Sequence, residues 1–322
     1  MIKQSDRHLM KQVVVGDVKS MGIMVLLAVG SIVVSPTCYT RADAQTKTAE
    51  SYFNEAQAAF ENDKLDEAAE LMEKALELDP DNCEYHWVHG DLQGARAQRA
   101  SIFTKISKAR SCKKHWERAV ELCPHSVKYL EGLMHYHLRA PGIAGGSNEE
   151  AERLLQVIYA RDSIRGCLAQ ADIAINDEDY ETATDIYNRM LAADWDTLNA
   201  LRGLGNLYNY HLKDYNQARP YYLRILAVEP EEWGIIYQAG RTAILCGKFT
   251  REAIELMRRY LTNPAKGNQP SHAAAYWRMG MAYEQLGDLD SANVCYETSL
   301  DLEPDFKEAK ESRKALKKKT NR

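Results

Sequence analysis

Three glycines and a proline fall within eight residues at Ala140–Ser147, "APGIAGGS". A glycine-rich loop ahead of a helix can cradle a phosphate on its backbone amides. The P-loop needs G-x-x-x-x-G-K-[ST] after a strand, and a dinucleotide fold needs G-x-G-x-x-G inside a βαβ unit. Gly142, Gly145 and Gly146 match neither spacing, no Lys follows, and the residues ahead read as helix. Nucleotide binding is not expected. Ser147 reads as a helix N-cap with Glu150 in the capping-box position, and Pro141 stops the helix before it. His135 and His137 invite a metal reading, but two residues apart on a helix they point about 200° from each other. No H-x-x-x-H or C-x-x-C pair is present, so no metal and no cofactor are expected. There is no G-x-S-x-G elbow. The carboxylates gather on polar helix faces and in "LELDPD" and "LDLEPD", so the chain does not read as an enzyme.

The elements that would carry such residues begin after an unusual leader. Lys3, Arg7, Lys11 and Lys19 precede the uncharged apolar run Met21–Val34, and Ala42-Asp43-Ala44 has the small-x-small pattern of a cleavage site. Residues 1–44 therefore read as a secretory signal peptide cleaved before Gln45, and the protein as exported and periplasmic. The alternative is an uncleaved N-terminal membrane anchor, although the run is short for a span of about 20 residues. The net charge of -5 gives nucleic-acid binding no support. Eighteen Tyr against five Phe suit helix contacts in which a ring packs while its hydroxyl stays paired or wet.

Beyond the leader, one template recurs. "AAAYWRMGMAYEQLGDLDSANVCYETSLDLEP" at 273–304 places Tyr276, Met279, Gly280 and Tyr283 on one helix face. Ala292, Tyr296 and Ser299 lie on another, after Gly287-Asp288. These are i, i+3, i+4, i+7 spacings. The same order of small, aromatic and Pro positions appears at 49–80 (Ala56, Leu65, Ala68, Met72, Ala75, Pro80) and at 198–230 (Gly205, Tyr208, Ala218, Tyr222, Pro230). It returns around Ala171, Ala183 and Tyr187, and around Gly240, Gly247 and Ala253. This resembles the tetratricopeptide repeat family, a helix–turn–helix unit of about 34 residues. The resemblance implies an all-α, right-handed solenoid over 45–304. Seven repeats lie near 49–82, 83–126, 127–163, 164–197, 198–232, 233–270 and 273–304. Residues 305–322 then form a capping helix with a basic tail. Repeat two is about ten residues too long, read as an extended first helix, and the glycine loop is an insertion within repeat three. Cys83 and Cys123 would share one end of repeat two and are the candidate disulfide, with two free thiols the favoured alternative.

In that family the first helices line the concave side, and their outward positions contact partners. Here those positions hold Arg202, Asn206 and Asn209 in repeat five, Tyr237, Gln238 and Arg241 in repeat six, and Trp277, Arg278 and Met281 in repeat seven. Arg offers a fork for carboxylates, and Trp and Tyr are favoured interface anchors. Arg202 with Asn206 looks like part of a carboxylate clamp, but the set is not repeated on neighbouring helices. The resemblance implies a protein–protein interaction scaffold that binds a peptide or protein segment in the groove, and the leader implies that it works in the periplasm. The alternative is an accessory ligand-binding component of an envelope transport or polysaccharide system, with the two insertions walling a cavity.

Overall fold

The computed structural model describes residues 47–263 and 269–320, apart from the side chains of Ile102 and Phe103. The expected signal peptide or anchor, and the cleavage point before Gln45, lie outside the described residues. No helix among the described residues is long and apolar enough to cross a membrane.

The described chain is all-α, with fifteen α-helices. Antiparallel hairpins follow one another: α1 (Ala49–Glu61) with α2 (Leu65–Leu78), then α3 (Cys83–Arg99) with α4 (Ile102–Leu122), then α5 (Val127–Arg139) with α6 (Asn148–Arg161). Next come α7 (Ser163–Asn176) with α8 (Tyr180–Ala192), and α9 (Thr197–Asn206) with α10 (Tyr215–Val228). α11 (Trp233–Cys246) pairs with α12 (Thr250–Tyr260), and α13 (His272–Gln285) with α14 (Leu289–Leu302), before α15 (Lys307–Thr320) ends the array. The apolar stripes dictate this. In α2, Leu65, Ala68, Ala69, Met72 and Ala75 are buried, one face of a 3.6-residue helix. Helix starts are set by side-chain caps: Asn82 accepts from the amides of Glu84 and Tyr85 at 3.1 and 3.2 Å, and Asp288 from Ser291 at 3.0 Å.

Several hairpins close on a small residue facing a large one. A Cβ on Gly205 would stand 2.7 Å from the Tyr222 ring, and one on Gly280 2.5 Å from the Tyr296 ring. Tyr222, Tyr260 and Tyr296 are fully buried, yet their hydroxyls donate to Asn206 Oδ1 at 2.9 Å, Pro270 O at 2.5 Å and Glu284 Oε2 at 2.6 Å. That pairing accounts for part of the Tyr bias.

Two irregularities have physical causes. In repeat five Ala218 lies thirteen positions after Gly205, where in repeat seven Ala292 lies twelve after Gly280. The extra residue is absorbed as a π-turn at Leu207–His211, continuing α9. Repeat two does not extend only its first helix: α3 has 17 residues and α4 has 21. The long α4 meets the glycine loop. Arg110 donates through Nε and Nη2 to Ile143 O at 3.1 and 2.7 Å. The Tyr136 hydroxyl lies 2.9 Å from Ala109 O and 2.8 Å from Ala144 O. Gly145 takes φ +96°, and a Cβ on Gly146 would lie 1.8 Å from Ala140 O. The loop is thus a clasp between repeats two and three. At the other end of repeat two, Cys83 and Cys123 are joined as a disulfide; the free-thiol alternative is corrected, because the antiparallel helix ends bring their Cα atoms to 6.0 Å. Cys112 and Cys295 are buried free thiols, and burial pushes the Cys112 thiol up to about 12.

Candidate functional site

The first helices of successive hairpins lie beside one another, and their inner positions form a groove. Across α5, α7 and α9 it holds about 240 Å³, lined by Glu131, His135, Arg165, Asp172, Asn199, Arg202 and Asn206. Leu168, Ala169, Gly203 and the Tyr187 ring also line it. Gly203 is small because the Tyr187 ring lies against it; a Cβ there would be 2.3 Å from the ring. Two rungs cross from α5 to α7. Arg165 grips Glu131 with two donors, Nε at 2.6 Å from Oε1 and Nη2 on Oε2. His135 Nε2 meets Asp172 Oδ2 at 2.8 Å. The Glu131 carboxylate beside Arg165 raises the guanidinium above its ordinary value. Arg165 and Glu131 neutralise each other within the groove wall. Arg202 has no such rung, and its Nε is buried without a hydrogen-bond partner.

Of the nine expected contact residues, the structure leaves some at the groove and draws others into packing. Arg202 and Asn206 line the groove, with Asn206 held by the Tyr222 hydroxyl. Asn209 is 1% exposed, because the π-turn rolls it inward. There its Oδ1 accepts from Arg241 Nη1 at 3.1 Å and Thr242 Oγ1 at 3.2 Å. Tyr237 is buried against Tyr260, ring centroids 5.2 Å apart. Trp277 is taken up by the cap: its Nε1 donates to Ser312 Oγ at 2.9 Å and its ring meets Phe306 edge-on. Met281 packs beside it. Asn209 and Tyr237 are therefore buried in the wall, while Trp277 and Met281 are half-buried against the cap. Gln238 and Arg241 are half-buried, as is Arg278, which lies 4.0 Å over the Trp277 ring.

Sequence reasoning did not single out Tyr210, which the π-turn leaves 44% exposed with the Arg241 guanidinium 5.1 Å from its ring centroid. The thirteen-residue spacing of repeat five was the available signal. It also passed over Glu131, Arg165 and Asp172. A second cluster lies between α3 and α4. His86 Nδ1 meets His115 Nδ1 at 3.0 Å, the His89 and His115 rings are 4.2 Å apart, and Gln93 holds His89 at 2.8 Å. Burial pulls His89 down to about 4 and His115 to about 3. Among the described residues, no group of three or more His, Cys, Asp or Glu side chains converges on a metal position.

A tetratricopeptide repeat model matches residues 273–306, and the model of the regulator of microtubule dynamics protein 1-3 family matches residues 35–140. No curated protein matches the sequence. A tetratricopeptide repeat protein from Parabacteroides merdae is 13% identical over 83% of this chain and 98% of its own, with a TM-score of 0.49. Yeast Tom70 is 12% identical over 86% of this chain and 58% of its own, TM-score 0.56. The human IFIT1 dimer with m7Gppp-AAAA is 16% identical over 84% and 62%, TM-score 0.55. The similarity to Tom70 and IFIT1 concerns the fold. The fold is that of a tetratricopeptide-like, all-α repeat solenoid.

Proposed function

We propose that this protein is an extracytoplasmic, periplasmic scaffold, without catalytic activity, that receives a peptide or protein segment in the groove of its first helices. The observation that carries the reading is the groove itself. Three successive first helices line it, its rungs are satisfied, and Arg202 within it holds a buried donor with no partner. An unpaired buried donor costs free energy unless a ligand meets it. The basic leader, apolar run and Ala42-Asp43-Ala44 support export, and the Cys83–Cys123 bridge is the kind of bond that persists in an oxidising compartment. The alternative, an accessory ligand-binding component, rested on insertions walling a cavity; among the described residues they clasp each other instead.

A photo-crosslinking residue at Leu168, inside the groove, is expected to capture a defined partner in intact cells. The same residue at Val228 or Val294, both exposed on second helices, is expected to capture none. Equal adducts from all three positions, or none from Leu168, would overturn the groove reading. Mass spectrometry of the secreted form is expected to find Gln45 as the first residue; an intact Met1 in the envelope fraction would overturn cleavage.

A further inference from the structure

Most half-buried arginines of this chain are satisfied by a partner on a neighbouring element. Arg96, Arg118, Arg165, Arg219 and Arg313 each meet a carboxylate, and Arg259 on the second helix α12 caps the Pro230 carbonyl. Arg202, Arg241 and Arg278 have no carboxylate: among the described residues none of the three forms an ion pair. These three fall on the first helices of repeats five, six and seven, in sequence along the inner face. Arg241 donates to the neutral Asn209 and lies over Tyr210. Arg278 lies on Trp277 with its Nε buried and unpartnered, as are the Nε atoms of Arg96, Arg219 and Arg313, which meet carboxylates through their other nitrogens; Gln238 Oε1, one turn before Arg241, is likewise unmet. Burial draws the Arg278 guanidinium below its ordinary value and the like charge of Arg241 adds to that, while Tyr237 and the Glu308 carboxylate of α15 act the other way without closing an ion pair. Desolvated like charges that close no ion pair are unfavourable unless something supplies the anion.

We infer that the Arg202, Arg241 and Arg278 tier is a recognition site for an acidic segment of a protein partner, whose Asp or Glu side chains complete these three arginines. The inference rests on the groove reading above and names its partner's chemistry. Guanidinium forks suit both carboxylates and phosphates. A nucleic-acid backbone, however, is drawn by a broad basic field, and this chain is net acidic at -5. A few guanidiniums, two of them backed by aromatic rings, match discrete carboxylates at short range.

The test is fluorescence anisotropy with the full mature chain. The probes are a fluorescein-labelled peptide of alternating Glu and Ala, its Lys–Ala counterpart, and an oligouridylate of equal length. The Glu peptide is expected to bind and the Lys peptide not to. The double variant R241Q/R278Q should weaken binding by ~10-fold or more, and R241K/R278K should restore part of it. R224Q/R251Q removes the same charge from exposed positions on second helices and should leave binding unchanged. Circular dichroism checks that helicity is retained. Equal losses in both glutamine variants would reduce the effect to net charge and overturn the site. So would tighter binding of oligouridylate with the same arginine dependence, or no binding of the Glu peptide. Leu168 crosslinking separates the two levels. If R241Q/R278Q still captures the partner there, the acidic-segment inference fails and the scaffold reading stands. If the parent chain captures nothing, the scaffold reading fails by itself.

Discussion

Gly280 is required by its neighbour. Tyr296 is fully buried, its hydroxyl is fixed to Glu284, and a Cβ on Gly280 would overlap its ring. Gly280→Ala should destabilise by about 1–3 kcal/mol, the cost of overpacking a rigid core. Gly142→Ala, where nothing lies within 4 Å of the added Cβ, should leave the urea midpoint nearly unchanged. Equal shifts would show that the ring can move aside. The histidine cluster makes a second residue-scale prediction. His89 and His115 are held at about 4 and about 3, below the ordinary 6.5, first by burial and then by neighbouring positive groups. As pH falls through 6.5 the unfolded chain takes up these protons first, so stability is lost progressively down to about pH 3. Asp91 opposes this. Burial raises it to about 6, so the folded chain binds that proton more readily between about pH 6 and 3.8. Two groups outweigh one, and net stability should fall on acidification. H89Q/H115Q should flatten that slope in urea titrations, and D91N should steepen it; an unchanged slope in H89Q/H115Q would remove the cluster from the account.

At the scale of elements, the disulfide tethers α3 to α4 at the end opposite the glycine clasp. Closing a loop of sequence separation 40 is worth at most about 4 kcal/mol by chain entropy. Reduction should therefore lower the melting temperature while α4 keeps its hold on the loop through Arg110 and Tyr136. C83S/C123S should reproduce the reduced protein, and a melting temperature unaffected by reductant would show that the bridge adds no stability. The hairpins themselves were legible from sequence because small, aromatic and Pro positions repeat with the helix period. The groove was legible only by position, and position misled where tertiary context intervened. Tyr237 and Trp277 occupy the same helical place as Arg202. A neighbouring second helix buries the first and the cap claims the other. Asn209 was displaced by a single extra residue, whose accommodation as a π-turn could have been placed equally well in the following loop. The pairing of the two insertions with each other is a contact between distant segments, which no local pattern encodes.

At the scale of the whole molecule, a solenoid stands on nearest-neighbour contacts, so its ends need a face that tolerates water. α15 supplies it. Ala309 and Leu316 are buried, while its lysines remain exposed. Arg313 pairs with Glu297 and Lys319 with Glu284 at 2.9 Å. Leu316 joins Trp277, Met281 and Tyr296 in one cluster, and Ser312 holds the Trp277 indole. Truncation after Pro304 would expose that cluster and forfeit about 1.5–3 kcal/mol for Leu316 alone. Because repeats touch only their neighbours, the loss should be local. Hydrogen exchange should accelerate in α13 and α14 and remain as before in α1–α6. L316D should give the same map in milder form. A uniform loss of protection along the chain would instead mean that the solenoid unfolds as one unit. The cap also reaches the proposed anion tier, because Arg278 lies on the ring that Ser312 and Phe306 hold in place. Truncation should therefore weaken acidic-peptide binding even with all three arginines present. If affinity is unchanged after truncation, Arg278 is positioned by α11 and α13 alone and the cap serves only to close the array.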